Sequence, residues 1–123
     1  MITKETTICG ISVTLAYCYA TEIGFKTLSD EDINDFMTEA SEAIKISKMP
    51  DVQKTIYLIL ASMMAYYDQP DKCPVSDVEL MKEAAPNDIA AAFGTILNLR
   101  AQFYHIPLGE PKDDKKDNDP KNA

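Results

Sequence analysis

The sequence predicts a mainly α, compact helical domain of about five helices, with a small N-terminal β-hairpin or strand and a disordered C-terminal tail. Three observations carry this. The run Ile56-Tyr57-Leu58-Ile59-Leu60-Ala61-Ser62-Met63-Met64-Ala65-Tyr66-Tyr67 holds no charge and is apolar on every helical face. It is shorter than the roughly 18–20 residues of a membrane span, so it reads as a buried helix with others packed around it. The segments on either side carry apolar residues at three- and four-residue spacing. Helix start and stop signals separate those segments.

Taken in order, Thr3 to Leu15 reads as extended, with Thr6, Ile8, Ile11, Val13 and Leu15 as the β-type residues and Cys9-Gly10 as a turn or bulge between two short strands. Two strands alone are marginal in water, so they must pack on helices or add to another sheet. From Ala16 to about Leu28 a helix is expected, its stripe formed by Ala16, Tyr19, Ala20, Ile23 and Lys26 with Phe25 at the flank. Gly24 weakens that helix by about 1 kcal/mol relative to alanine.

Ser29 is expected to cap the next helix, with Asp30, Glu31 and Asp32 in a first turn where the helix dipole favours negative charge. Its inward stripe is Ile33, Phe36, Met37, Ala40 and Ile44, with Asp35, Glu39 and Glu42 facing water. Pro50 breaks the chain and Asp51 caps the central helix, which runs to about Tyr67. Leu60 lies near its middle, where an introduced charge is expected to unfold the domain. Asp68 to Lys72 is a polar connector. Ser76-Asp77-Val78-Glu79 is a capping box with Val75 and Leu80 at the staple positions, opening a short helix that ends near Ala85. Pro86 suits the first position of a last helix, with Asp88 in its first turn. Ile89, Ala92, Phe93, Ile96, Leu97, Arg100, Phe103 and Tyr104 mark its broad face, and Pro107 and Gly109 stop it. Residues 1–108 thus form one domain and 109–123 a charged tail with almost no apolar residue, expected to be disordered.

Charge and composition narrow the function. Twenty acids against twelve bases give −8. The tail holds five acids and four lysines, so −8 less the tail's −1 leaves −7 on the body. A nucleic-acid binder needs a basic face, so nucleic acid is not an expected partner. No stretch is long enough to span a membrane, and Met1 to Thr7 leads into no extended apolar region, so a cytoplasmic place is expected. Cys9, Cys18 and Cys73 are an odd set without CxxC spacing and read as small hydrophobes.

Chemical motifs find little support. The run Asp30-Glu31-Asp32-Ile33-Asn34-Asp35 begins like a calcium loop but has Asp35 where glycine must turn the chain and Ser41 where a bidentate glutamate belongs. His105 is the only histidine, has no nucleophile elbow to serve, and suits the C-terminal end of a helix. Four isolated glycines build no phosphate loop. No catalytic, cofactor or metal residues are therefore assigned, and no enzyme is expected. What remains is protein-binding surface. Met63, Met64, Tyr66, Tyr67, Phe103 and Tyr104 are flexible or amphipathic groups suited to adaptable contacts, with core packing as the competing role.

The order of these features resembles a known family. An extended N-terminus leads into Leu15-Ala16-Tyr17-Cys18-Tyr19-Ala20-Thr21-Glu22-Ile23, then Leu28-Ser29-Asp30-Glu31-Asp32-Ile33-Asn34-Asp35-Phe36, then the apolar helix Ile56 to Tyr67, then Pro86-Asn87-Asp88-Ile89 and a charged tail. This layout, over about residues 3–108, is similar to that of the tail assembly chaperones of long-tailed phages and prophages. Such proteins often have a glycine-centred hairpin with a longer second strand; here only Cys9-Gly10 and a brief Ile11 to Leu15 are legible. The resemblance implies a non-enzymatic role: binding the long, aggregation-prone tape measure protein and the tail tube protein during assembly, inside the host cell, with absence from the finished virion. A homo-oligomer stays open, as does a longer frameshifted product. The alternative is a small acidic interaction module or adaptor, for instance one whose N-terminal strand augments a partner's sheet.

Overall fold

A computed structural model describes residues 1–106. Pro107, Gly109 and the tail 109–123 lie outside the described residues. The elements run β1 (Ile2–Ile8), β2 (Ile11–Tyr17), α1 (Tyr19–Ser29), α2 (Ile33–Lys45), α3 (Val52–Tyr67), a 3-10 turn (Pro70–Lys72), α4 (Asp77–Lys82) and α5 (Pro86–Tyr104). Five α-helices and a two-stranded hairpin are the predicted architecture.

The hairpin is antiparallel, from Ile8 opposite Ile11 to Ile2 opposite Tyr17. Cys9 and Gly10 both take positive φ, 55° and 75°, as a two-residue turn that follows the strand twist requires. β2 is longer than expected, because its last residues are core: Leu15, Ala16 and Tyr17 are all fully buried.

That extension moves the phase of α1. Ala16 belongs to the strand, not the helix, and the stripe counted from it points outward: Tyr19 and Ile23 are 64% and 67% exposed. The inward residues are Thr21 and Phe25, with Leu28 packed on the same core. The start of α1 is tied to the end of β2 by Thr21, whose hydroxyl accepts from Cys18 N at 3.2 Å and donates to Ala16 O at 3.0 Å. Gly24 has a purpose that propensity does not show: a Cβ there would sit 3.3 Å from the Ala61 Cβ, so its absence lets α1 lie close against α3.

The α1–α2 junction also differs from expectation. Ser29 ends α1 rather than starting α2, its hydroxyl donating back to Phe25 O at 2.7 Å. Asp30 follows in the left-handed region and donates its N–H to Lys26 O. Asp32 is the cap of α2, accepting from Asn34 N at 2.8 Å. Three cap-type residues stand in tandem, and the need to bury Phe25 and Leu28 carries α1 on past the first of them. Ile33, Phe36 and Ala40 turn inward, but Ile44 is 52% exposed, on the wall of an open groove between α2 and α5.

α3 is the centre. It packs against α1, β2, α5, α4 and the 3-10 turn, and buries Thr55, Ile56 and every residue from Leu58 to Met63. Asp51 caps it through Lys54 N at 3.0 Å. The Ser76–Glu79 capping box forms reciprocally, at 3.1 and 2.9 Å, and Val75 and Leu80 are buried on either side of it. On α5, Ile89, Ala92, Phe93 and Ile96 are buried as expected, joined by Leu99 and Ala101. Phe36 sits between Phe25 and Phe93, with ring centroids 5.2 and 6.1 Å away, and locks α2 to both α1 and α5. α5 ends at Tyr104, with His105 left-handed in the C-terminal cap position.

Candidate protein-interaction surface

The six residues singled out from the sequence do not form one patch. Met63 is wholly buried and serves the core. Met64 is half-buried and lines a shallow groove with Leu28, Leu60 and Cys73. Tyr67 turns inward, its hydroxyl accepting from Thr14 N at 3.1 Å, while Tyr66 stands 44% exposed with its ring edge-on to Tyr67. Phe103 and Tyr104 lie elsewhere, at the C-terminal end of α5.

There they join an aromatic cluster. Phe103 packs against Tyr17 at 5.7 Å, Tyr19 at 5.2 Å and Tyr104 at 5.0 Å between ring centroids. These are the tilted and edge-on arrangements that aromatic quadrupoles favour. Glu22 is the polar hub. Its carboxylate accepts from the Tyr17 hydroxyl at 2.7 Å and also from that of Tyr104. Arg100 places its guanidinium 5.5 Å from the centre of the Tyr104 ring and donates to Asn34 Oδ1 at 2.8 Å. Beyond Glu22 the surface runs into a groove of about 410 Å³ between α1 and α2, lined by Ile23, Lys26, Asp32 and Asn34 among others.

Of this surface, the sequence identified Phe103 and Tyr104 as binding candidates. It missed Tyr19 and Ile23 by assigning them to the buried stripe, and it left Glu22 unremarked. The available signal was the alternative helical phase Thr21, Phe25, Leu28, which leaves Tyr19 and Ile23 outside.

Tyrosine and arginine are the side chains that most often carry binding energy at protein interfaces. Here Glu22 fixes the Tyr104 hydroxyl as well as that of buried Tyr17, and Asn34 holds one end of the Arg100 guanidinium, so less freedom is lost on contact. Burial and the Glu22 carboxylate both push the Tyr17 hydroxyl well above the ordinary tyrosine range. The bond to Glu22, with some burial, pushes Tyr104 up to about 12. Both folded-state values exceed the unfolded ones, so their stabilising contribution is fully present below about pH 10 and falls above it, that of Tyr104 being lost by about pH 12 and that of Tyr17 persisting to higher pH. Spectrophotometric titration is therefore expected to show these two tyrosines ionising last. Replacing Glu22 by Gln is expected to bring Tyr104 back toward the others.

No described helix is long and apolar enough to cross a membrane. Comparison with protein-family models, with curated proteins and with solved structures returns no match.

Proposed function

We propose that this chain is a non-enzymatic assembly chaperone, binding the tape measure protein and the tail tube protein while a phage tail is built. The observation that carries the reading is the exposed Tyr19, Ile23 and Tyr104 surface, with half-buried Arg100 behind it, on an acidic body. Preset aromatic and guanidinium anchors grip the apolar stripes of a long helical client, and like charge keeps loaded complexes apart. The client named here rests on the resemblance of the sequence layout to that of tail assembly chaperones. On this reading the chain works in the host cytoplasm and leaves before the virion is complete. The coarser alternative, an acidic adaptor for another client, uses the same surface.

Co-expression separates the two. If the reading holds, a long coiled-coil tape measure protein from the same genome is expected to become soluble with this chain and to co-purify with it. The doubly exposed change Tyr19→Ser with Ile23→Ser is expected to abolish that rescue while the domain stays folded, with a modest fall in melting temperature from the lost Tyr19–Phe103 contact. A long protein no more soluble with the chain than without it would end the chaperone reading.

A further inference from the structure

The two edges of the hairpin are treated differently. Toward the C-terminal half of β2 the outward-facing backbone groups are used by α3: Thr14 N donates to the Tyr67 hydroxyl, Ala16 N donates to Ser62 Oγ at 2.9 Å, and Ser62 Oγ donates to Ala16 O at 2.8 Å. The register then fixes which groups of β1 face away from the hairpin. Thr14 opposes Glu5, Ala16 opposes Thr3 and Ser12 opposes Thr7, so Thr3, Glu5 and Thr7 present their N–H and C=O groups to the free edge. Among the described residues nothing hydrogen-bonds to them.

Beside that edge runs a groove of about 440 Å³ between β1 and α5, lined by Thr3, Lys4, Thr95, Asn98, Leu99 and Gln102. Thr95, Asn98 and Gln102 stand at i, i+3 and i+7, one polar stripe along α5. The Thr95 hydroxyl and one Asn98 N–H are spent on α5 carbonyls, leaving the Asn98 oxygen and the Gln102 amide open. A strand laid along β1 would have β1 on one edge and these side-chain amides on the other. That is the relation β2 already has to β1 and to the α3 hydroxyls.

Charge selects the occupant. Pairing β1 with a second copy of itself, antiparallel over the whole strand, centres on Glu5 and sets it against Glu5 of the other copy. Directly opposed like charges disfavour that, as does the net −7 of each body. A different chain with a basic residue opposite Glu5 and an acidic one opposite Lys4 meets both charges. We propose that the open edge of β1 is a strand-addition site, taking an extended segment of a partner polypeptide that carries an adjacent basic–acidic pair. This site is separate from the aromatic surface and does not depend on the client proposed above.

The probe is a capped peptide, Val-Thr-Val-Lys-Glu-Thr-Val, whose antiparallel register sets its lysine against Glu5 and its glutamate against Lys4. The readout is amide hydrogen exchange in the full chain. Exchange at Thr3, Glu5 and Thr7 is expected to slow at least about tenfold at saturating peptide. The slowing is expected to vanish when the peptide is N-methylated at the residues that donate to β1, and to weaken when its lysine and glutamate are swapped. Thr7→Pro removes one outward N–H that the hairpin does not use, a change tolerated on edge strands, and is expected to reduce binding. Several results would overturn the proposal: no slowing up to the peptide's solubility limit, equal protection by the N-methylated peptide, or these amides already protected in the free monomer or in a dimer.

Discussion

The variant Ile59→Asp is expected to be unfolded at every temperature. Ile59 is fully buried at the middle of α3, where α1, β2 and α5 all meet the helix. Truncating a buried isoleucine costs about 2–5 kcal/mol. An unpaired carboxylate there adds several kcal/mol more, because among the described residues no basic side chain is in the core to receive it. The sum reaches the ~5–15 kcal/mol that holds an ordinary domain together. Far-ultraviolet circular dichroism is the check, and a cooperative melt near that of the parent would remove α3 from the centre of the fold. Leu60→Asp makes the informative comparison. Leu60 is 9% exposed and floors the grooves toward α4, so a carboxylate there reaches water. Its loss of stability is expected to be the smaller of the two, a distinction that hydropathy alone does not draw.

That contrast shows where local pattern stops being informative. α3, its Asp51 cap, the Ser76–Glu79 box and the Pro86 start were legible because each is written within four or five consecutive residues and needs no distant partner. The hairpin was legible for the same reason at Cys9-Gly10. The phase of α1 was not, because it depends on where β2 ends, and β2 continues through Ala16 and Tyr17, which are buried against α3 and α5 residues distant in the chain. The Ser29 and Asp32 capping choice was likewise settled by the burial of Phe25, not by the caps. The interaction surface was the least legible part. Its central bond joins Glu22 to Tyr104, 82 positions away in the chain, and no window of sequence contains both. The same holds for Arg100 and Asn34, 66 apart.

Ser62→Ala is expected to cost about 1–3 kcal/mol, more than its size suggests. Ser62 is fully buried, and its one oxygen serves Ala16 twice, accepting from the amide and donating to the carbonyl. The carbonyl keeps a second donor in Thr21. The amide has none, so alanine at 62 leaves a buried N–H without a partner. A double-mutant cycle with Thr21→Val tests this division of labour. Because both hydroxyls donate to the same carbonyl, the pair is expected to be non-additive, the second loss costing more once the first has occurred. Urea denaturation of the four chains measures the coupling, and additive effects would mean that Ala16 O is satisfied some other way. Hydrogen exchange at Ala16 is expected to quicken in Ser62→Ala while the amides of Thr6 and Val13, inside the ladder, change little. The reason reaches beyond stability. Ser62 and Tyr67 engage the outer edge of β2 at Thr14 and Ala16, whereas among the described residues the outward backbone groups of β1 have no such partners.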